Sequence, residues 1–315
     1  MWLGWGQPKP TLTDGTTGKV SVIVISLNAA KTIERTLQSL CRQGYNDREI
    51  IVVDGGSTDS TVSIARQYAN KIVVSGPGFA VQYEAGRKEV TVSPYVLLLA
   101  SDEYAASDDF IETLLSELIS DGEVVAVQAR LMVDPEITRM SMFARAEQYR
   151  YSRTYSSLRG KPLHYLMTGC AIFRTSALEE IGGFRENSAE SVDSDISIRL
   201  VERGHKLKLS DKAVAYHILD ETMLQSLRKT FRGGKSFFFV WRTAGGFADE
   251  YVRSITPPFI LIRAAKMGVA SFLDTHSLFF SAFVFLDVLS GYTAFSLGIF
   301  ASWLSSKLHR NVPPP

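Results

Sequence analysis

The feature that most constrains the fold of this 315-residue chain is an alternation of short apolar runs and longer amphipathic segments between residues 19 and 120. The apolar runs, which have the composition of buried strands, occupy residues 19–28, 48–54, 71–76 and 95–104. The amphipathic segments, which have helical spacing, occupy residues 29–44, 57–69 and 107–120. Parallel strands need crossover connections, which are usually helices. The alternation therefore predicts an α/β fold with a mostly parallel sheet and helices on both faces.

Two carboxylates at predicted strand ends are candidate ligand-binding groups. Asp54 ends one strand, within the stretch EIIVVDGGSTDST at 49–61, and Asp102 follows another. Because ligands of such sheets bind beyond the carboxyl ends of the strands, we expect both carboxylates in one crevice. There they could accept hydrogen bonds from a nucleotide base or ribose and hold a divalent cation on a diphosphate. The alternative is a simple strand-to-helix turn, with a helix N-cap at Ser57 or Asp59.

Composition excludes several classes of protein. The formal net charge is +1, which argues against a general attraction to nucleic acid. The two cysteines, Cys41 and Cys170, lie far apart and form no CxxC or Cys/His cluster, so the sequence suggests neither a disulfide framework nor a zinc site, and a reducing compartment is the simpler interpretation. Residues 1–18 lack the pattern of a secretory signal and are interpreted as a loose arm.

The C-terminal part of the sequence indicates a membrane. Residues 277–304 carry one charge, Asp287, and as a helix they are long enough to cross a hydrocarbon core of roughly 30 Å. The alternative is a buried helical hairpin that bends at Ser290 and Gly291. The preceding segment, 257–273, contains two basic residues and suits an interfacial helix better than a central span.

Four ordered blocks of sequence resemble family 2 glycosyltransferases, which are inverting enzymes of the GT-A fold. The blocks are VSVIVISLNAAKTIERTLQSL, EIIVVDGGSTDST, YVLLLASDE and the segment 168–209, which begins TGCAIFRTSALEEIGGF. The resemblance implies a GT-A, Rossmann-like domain followed by a hydrophobic helical membrane region. The implied divisions are an arm at 1–18, a GT-A domain at 19–240 with a nucleotide-sugar-binding half (19–104) and an acceptor half (105–240), and an interfacial and transmembrane region at 241–315.

The resemblance also implies roles for residues of the nucleotide-sugar-binding half. Ser26 and Asn28 correspond to the loop around the nucleoside, and Asp54 to the carboxylate that contacts the base. Asp102 corresponds to the last acid of the D-x-D motif, which meets the metal on the sugar diphosphate, with Glu103 beside it. The implied cofactor is Mg²⁺ or Mn²⁺, and a histidine ligand favours Mn²⁺ slightly.

Residues of the acceptor half receive roles from the same resemblance. Asp193 lies where the family places its catalytic base, and His217 lies where many members place a residue near the metal or diphosphate. A basic segment that commonly covers the phosphates corresponds to Arg228, Lys229 and Arg232. Because aromatic residues are interleaved with these cations, the segment is equally well interpreted as a surface that faces anionic lipid headgroups.

The chain departs from the family pattern at three acids. Gly55 replaces the second acid after the strand, Ala100 replaces the first acid of D-x-D, and Val192 replaces the first acid of the pair that ends in Asp193. These departures leave the expected base and principal metal ligand in place. They put the affinity for metal and the identity of the donor in question.

Other interpretations remain open for two of the polar residues. A lone histidine at a strand end, such as His217, is more often a hydrogen-bonded structural residue than a ligand. Asp195 could be a helix cap or the partner of Arg199 four residues later, and only one of Asp193 and Asp195 need be chemical.

The function implied is that of an inverting hexosyltransferase. It would move a sugar from a nucleotide-sugar donor to a lipid-linked or glycan acceptor, in polysaccharide or glycoconjugate synthesis at the cell membrane. The catalytic domain would lie on the cytoplasmic side, and nucleic acid is not an expected partner. Two alternatives are a nucleotidyltransferase, which shares the sheet and the metal, and a non-catalytic membrane-anchored protein that binds nucleotide sugars, suggested by the acids lost at Gly55 and Ala100.

Overall fold

The computed structural model describes residues 18–219, 222–244 and 256–308, so the predicted arm at 1–18 lies almost wholly outside the described residues. Within them, eight strands form one sheet. The strands are β1 (Val20–Ser26), β2 (Arg48–Asp54), β3 (Lys71–Val74), β4 (Tyr95–Ala100), β5 (Glu103–Ala105), β6 (Val124–Val133), β7 (Ala171–Arg174) and β8 (Lys206–His217).

The helices of the described residues connect and cover these strands. They are α1 (Ile33–Cys41), α2 (Thr61–Ala65), α3 (Phe79–Lys88), α4 (Phe110–Ile119), α5 (Pro135–Met140), α6 (Met142–Leu158), α7 (Thr175–Glu180), α8 (Val192–Glu202), α9 (Met223–Thr243), α10 (Pro257–Thr275) and α11 (Leu278–Leu308), with a short 3-10 helix at Glu186–Ser191. The boundary predicted at residue 240 falls inside α9.

The sheet has the order β3-β2-β1-β4-β7-β6-β8-β5. The first four strands of that order are parallel, and β6 pairs in parallel with β8. The short strands β7 and β5 are antiparallel to their neighbours. The prediction of a mostly parallel α/β sheet is confirmed, with β7 and β5 as antiparallel additions.

Side-chain alternation along the strands explains why helices cover both faces. In β1, Val20, Val22 and Val24 pack into one core cluster together with side chains of α1, α2 and α4. The intervening Ile23 and Ile25 pack into a second cluster with side chains of α3, α7 and α8. Since successive side chains of a strand point to opposite faces, an uninterrupted apolar run needs a hydrophobic layer on each side.

The turn between β2 and α2 differs from its prediction. Helix α2 begins at Thr61 with Ser60 at the N-cap, so an N-cap at Ser57 or Asp59 is wrong. The Asp59 carboxylate accepts a hydrogen bond from the Thr61 N–H at 3.0 Å and another from the Ala30 N–H at 3.1 Å. The side chain therefore ties the β1 loop to the start of α2, and the chain turns further before the helix begins.

The C-terminal apolar segment forms one continuous helix. Helix α11 passes through Ser290 and Gly291 without a break, so the hairpin predicted to bend there is wrong. The turn lies earlier, at His276, which has φ 52° between α10 and α11. One glycine costs a helix interior only about 1 kcal/mol relative to alanine, which is too little to interrupt so long an apolar helix.

Helices α9 and α11 cross with their backbones almost in contact. A Cβ atom placed at Gly234 would lie 2.0 Å from the Phe295 carbonyl oxygen, and one at Gly298 would lie 2.1 Å from that of Phe231. Glycine is therefore required at both positions for the helices to approach this closely. The crossing fixes α11 against the acceptor half of the fold.

Among the described residues, one helix, at Leu278–Lys307, is long and apolar enough to cross a membrane, with a mean hydropathy of 1.7 and 28% of its window buried. Its one acid, Asp287, accepts a hydrogen bond from Arg150 of α6 at 3.1 Å. Large apolar side chains remain exposed on α10 and α11, including Phe259, Leu261, Val269, Leu273, Phe279, Leu286, Leu297 and Phe300.

Candidate active site

A cavity of about 310 Å³ lies at the carboxyl ends of β1 and β4. We call it the donor cavity. Polar side chains that line it include Asn28, Lys31, Asp59, Asp102, His217 and Lys229. Its position is the one that strand-end ligands occupy in open α/β sheets.

Asn28 connects the two loops at the edge of the donor cavity. Its backbone is left-handed, with φ 50°, a conformation that asparagine adopts more easily than most residues. Its Oδ1 accepts a hydrogen bond from the Thr58 N–H at 2.9 Å, and its own N–H donates to the Ser57 hydroxyl oxygen at 2.8 Å. Asn28 thus lines the cavity and holds the β1 and β2 loops together. Contact with a nucleoside stays a prediction.

The carboxylate of Asp54 accepts most of its hydrogen bonds from the loop that follows it. Its buried carboxylate accepts hydrogen bonds from the Gly56 and Ser57 N–H groups, at 3.0 and 2.8 Å, and from the Ser57 hydroxyl at 2.5 Å. The Ser26 hydroxyl donates to the same carboxylate at 3.4 Å. Among the described residues that line the donor cavity, neither Asp54 nor Ser26 is included. The geometry gives both residues a place in the turn, and their contact with a base or nucleoside stays a prediction.

Asp102 and His217 lie side by side at the donor cavity. Strand β5 pairs with β8 in the register that places Glu103 opposite His217, so the preceding Asp102 reaches the imidazole, with 3.4 Å between its Oδ2 and the Nε2 of His217. Burial would raise the pKa of Asp102, but the facing His217 overrides it and lowers that pKa. Burial would likewise lower the pKa of His217, and the Asp102 carboxylate raises it instead.

The Asp102 and His217 pair fits a divalent cation. The Nε2 of His217 faces a carboxylate oxygen of Asp102 that is partly open to the cavity, and an imidazole nitrogen beside a carboxylate oxygen is a donor set that Mn²⁺ accepts. The described residues contain no group of three or more His, Cys, Asp or Glu side chains that could hold a metal. A cation here would take its remaining ligands from water and a diphosphate, as Mg²⁺ and Mn²⁺ commonly do.

Glu103 does not join this pair. Its Oε2 accepts hydrogen bonds from the Ala100 N–H at 2.9 Å and from the Cys170 thiol at 3.3 Å. A Cβ at Gly169 would lie 2.4 Å from its other carboxylate oxygen. The side chain points into the protein rather than toward Asp102, and burial raises its pKa. The departure at Ala100 therefore leaves Asp102 as the acid of this strand end that faces the cavity.

A second cavity, of about 290 Å³, contains Asp193, and we call it the acceptor cavity. Asp193 lies in the first turn of α8. Its Oδ1 accepts hydrogen bonds from the Thr168 N–H, at 2.9 Å, and from the Thr168 hydroxyl. Its Oδ2 accepts one from the Tyr165 hydroxyl at 3.4 Å. Burial raises the pKa of Asp193 above its ordinary value, which makes the carboxylate a stronger base.

The two cavities share His217 and Lys229 as lining residues. Of the three cations in the predicted basic segment, Lys229 lines both cavities. Arg232 is paired with Glu190 at 3.1 Å, and the Arg228 side chain is exposed. The structure therefore brings Lys229 together with the candidate metal pair and the candidate base. A phosphate-binding role for Arg228 and Arg232 stays a prediction.

Asp195 has a structural position. It is fully buried and forms ion pairs with Arg185 and with Arg199, which confirms the expected partner at Arg199. Asp195 is held in the core by these two arginines, whereas Asp193, whose partners are the neutral donors Thr168 and Tyr165, lines the acceptor cavity.

Sequence reasoning missed Thr168, Tyr165 and Lys31. Lys31 lines the donor cavity, and Thr168 and Tyr165 hold Asp193. Thr168 opens the block TGCAIF, which is the one signal that could have singled it out. Its separation from Asp193 in the sequence hides the contact.

Comparison with solved structures identifies the class of fold. A mannosyltransferase from Pyrobaculum calidifontis, solved in complex with GDP-Man and Mn²⁺, superposes with a TM-score of 0.63 at 18% identity, over 91% of this chain and 88% of that one. A glucosyl-3-phosphoglycerate synthase from Mycobacterium tuberculosis superposes with a TM-score of 0.52 at 16% identity, over 75% of this chain and 86% of that one. The fold is therefore the GT-A fold of nucleotide-sugar-dependent glycosyltransferases.

The family described as "Glycosyl transferase family 2" matches residues 21–182, and the chain belongs to that family. An O-antigen chain rhamnosyltransferase of Salmonella anatum is 25% identical over 74% of this chain and 80% of its own length. A second, from Salmonella typhimurium, is 23% identical over 81% and 88%. A succinoglycan biosynthesis protein of Rhizobium meliloti is 28% identical over 64% and 63%.

These matches decide between the functions that the sequence left open. The protein is a glycosyltransferase, with relatives that act in polysaccharide biosynthesis. The nucleotidyltransferase and the non-catalytic interpretations are set aside.

Proposed function

We propose that the protein is an inverting, divalent-metal-dependent glycosyltransferase that passes a sugar from a nucleotide-sugar donor to a lipid-linked or glycan acceptor at a membrane. The observation that carries the proposal is the meeting of the donor and acceptor cavities at His217 and Lys229. One cavity holds the candidate metal pair and the other holds the candidate base. A donor diphosphate and an acceptor hydroxyl bound in them would be neighbours.

Asp193 has the chemistry of the general base. In an inverting transfer the acceptor oxygen attacks the anomeric carbon opposite the leaving diphosphate, and the Asp193 carboxylate takes the acceptor proton as the bond forms. Thr168 and Tyr165 fix the carboxylate by hydrogen bonds to its two oxygens. An acceptor that is already an ionised phosphate would need this base less.

Lys229 and the Asp102–His217 pair serve the leaving group. Asp102 and His217 would hold the cation, which when bound supplies charge stabilisation to the departing diphosphate. Lys229 lines both cavities, so its ammonium group can reach the phosphates beside the bond that breaks. Mn²⁺ is the expected ion because an imidazole nitrogen is among the ligands.

The helices α10 and α11 support action at a membrane. Their exposed apolar side chains, such as Leu273 at 65% and Phe279 at 73% exposure, would be costly in water. Basic residues of α9 precede this region in the sequence, which agrees with a catalytic domain on the cytoplasmic side. The GT-A domain at 19–240 would act there as two halves, and 241–315 would form the membrane region.

The test is release of nucleoside diphosphate by the detergent-solubilised chain, with Mn²⁺ or Mg²⁺ and a panel of UDP-, GDP- and dTDP-sugars. The panel includes dTDP-rhamnose and GDP-mannose, and each donor is assayed with and without polyprenyl-phosphate-linked acceptors. We expect release with one donor that increases with acceptor, stops with a chelator, and disappears in Asp102→Ala. The anomeric configuration of the product, read by NMR, tests inversion.

Release that persists in the chelator would contradict the metal requirement. Retention of the donor's anomeric configuration would contradict the inverting mechanism and the role of Asp193.

A further inference from the structure

An apolar cavity of about 360 Å³ lies beside the acceptor cavity, and we call it the apolar cavity. Its size is within the range of small-molecule sites, roughly 300–1,000 Å³. It is lined by residues of α6, the loop at 163–167, strands β6 and β8, and helices α9, α10 and α11. Aliphatic and aromatic side chains dominate its lining, including Tyr155, Leu163, Met267, Val288 and Tyr292.

The apolar cavity and the acceptor cavity have a wall in common. Tyr151, Tyr165, Thr230 and Phe295 line both. Tyr165 also donates to the Asp193 carboxylate. The space next to the candidate base is therefore polar on the donor side, where His217 and Lys229 lie, and apolar on the other.

The charge in the wall of the apolar cavity is neutralised. Arg150 lines it, and its guanidinium pairs with Glu147 at 2.5 Å and with Asp287 at 3.1 Å. The two carboxylates offset the positive charge of Arg150 and so weaken its attraction for a further anion. The lining is mainly apolar, and the polar groups of Gln128 and Tyr155 already form hydrogen bonds with Met167 and Leu131. The cavity therefore suits an apolar chain better than a phosphate or a sugar.

We propose that the apolar cavity holds the apolar chain of a lipid-linked acceptor, next to a head group bound at Asp193. This inference rests on the proposed function. An amphiphile matches the two cavities, because its head needs the polar space and its chain needs the apolar one. Helices α10 and α11 contribute Met267 and Val288 to the lining and also carry the exposed apolar faces. The chain would leave the cavity toward the same helices that face the membrane.

Gly291 allows the apolar cavity to be filled without disturbing the fold. It lines the cavity, and a Cβ atom built on it meets nothing within 4 Å. Gly291→Phe therefore places a ring in the cavity and replaces a residue that is unfavourable in a helix. A second occluding variant, Thr154→Trp, approaches from α6, where the side chain is exposed. The matched control is Leu297→Phe, which adds a ring to an exposed position of the same helix.

The probes are farnesyl phosphate with a benzophenone at the end of its chain and, in a second arm, a diacyl phospholipid with a benzophenone at an acyl end. Each is photolysed with the full chain in detergent, and the labelled peptides are mapped by mass spectrometry. We expect labelling of α6 and α11 peptides that face the cavity. Preference between the probes distinguishes an isoprenoid chain from an acyl chain.

The occluding variants give the quantitative result. Excluding about two methylene groups from burial corresponds to a factor of about tenfold, so Gly291→Phe and Thr154→Trp should reduce cavity labelling about tenfold. Leu297→Phe should label as the wild type does. The thermal unfolding midpoint verifies that each variant is folded. If one occluding variant does not fold, the other one carries the test.

The inference and the proposed function fail in different ways. Labelling that misses the apolar cavity, or is unchanged in both folded occluding variants, overturns the inference even if sugar transfer to lipid is observed. Cavity labelling that the occluding variants reduce, in a protein that shows no sugar transfer to any acceptor, supports the lipid site and counts against the proposed function.

Discussion

Asp54 and Asp193, the two motif acids identified in the sequence, differ in where their hydrogen-bond donors come from. Asp54 accepts hydrogen bonds from residues two and three positions later in its own turn. Asp193 is held by Thr168 and Tyr165, which lie 25 and 28 residues away. The first acid closes a local loop after β2, and the second faces a cavity assembled from distant parts of the chain.

This difference in hydrogen-bond partners helps to distinguish an acid with a structural role from an acid with a chemical role. A carboxylate whose lone pairs are taken by its own loop stabilises that loop and has little capacity left for a ligand. A carboxylate held by donors from distant parts of the chain, with a raised pKa and a cavity in front of it, is prepared to accept a proton. We therefore expect a structural role in the turn for Asp54 and a chemical role for Asp193, and each expectation can be tested.

The largest effect is expected from Asp193→Asn. The amide keeps the shape of the side chain and can still accept from Thr168, but it cannot take a proton. Loss of a general base costs about 10²–10⁴-fold in rate, so kcat for transfer to a hydroxyl acceptor should fall by that factor. Donor affinity and thermal stability should remain near those of the wild type. Turnover within a few-fold of the wild type would remove Asp193 as the base.

Asp195→Asn is the matched control, two residues further along α8. This acid is fully buried between Arg185 and Arg199, and removing one member of a buried ion pair costs about 3–5 kcal/mol. We expect the free energy of unfolding, measured in urea, to fall by about that amount. Any protein that remains folded should keep most of its kcat. If Asp195→Asn kept the stability of the wild type but lost its turnover, Asp195 rather than Asp193 would be the catalytic acid.

A smaller loss of stability is expected from Asp54→Ala. The Gly56 and Ser57 N–H groups lose their acceptor, and an unsatisfied donor costs about 1–3 kcal/mol. Denaturation in urea measures this change. Calorimetry with UDP, GDP and dTDP below the unfolding transition then examines the predicted base contact separately. An unchanged Kd restricts Asp54 to the turn, whereas tenfold weaker binding assigns it the nucleotide as well. Unchanged stability would contradict the role in the turn.

The same contrast explains how much the sequence could predict. The strand Arg48–Asp54 and the pairing of Asp195 with Arg199 were predictable because both depend on residues that are close in sequence. The contact of Thr168 with Asp193 depends on sheet topology, which no local pattern records. The proximity of Asp102 to His217 depends on it too, and was expected only from the resemblance to the family. The bend at Ser290 and Gly291, which was the alternative to a continuous helix, did not form, because packing of α11 against α6, α9 and α10 outweighs the weak local preference of a single glycine.

The last prediction concerns the pH dependence that Thr168 gives to Asp193. Burial raises the pKa of Asp193, and the hydrogen bonds from Thr168 oppose that rise. Because the carboxylate is the active form, kcat/KM should fall as the pH decreases through this pKa. Thr168→Val removes the hydroxyl donor and should move that acid limb to higher pH, with a smaller loss of rate at high pH than in Asp193→Asn.

Stability should respond to pH with the opposite sign. A carboxyl group whose pKa is raised by folding stabilises the fold fully below its ordinary pKa and loses that contribution as the pH rises through the folded-state pKa. In Thr168→Val the pKa of Asp193 moves upward, so the free energy of unfolding should be lower at neutral pH than at acid pH by more than in the wild type. The activity at acid pH should fall further than it does in the wild type. Rate profiles and urea denaturation over the same pH series measure both. Serine at position 168 keeps the donor and should restore the wild-type acid limb, whereas a limb that stays in place in Thr168→Val would mean that a group other than Asp193 titrates in catalysis.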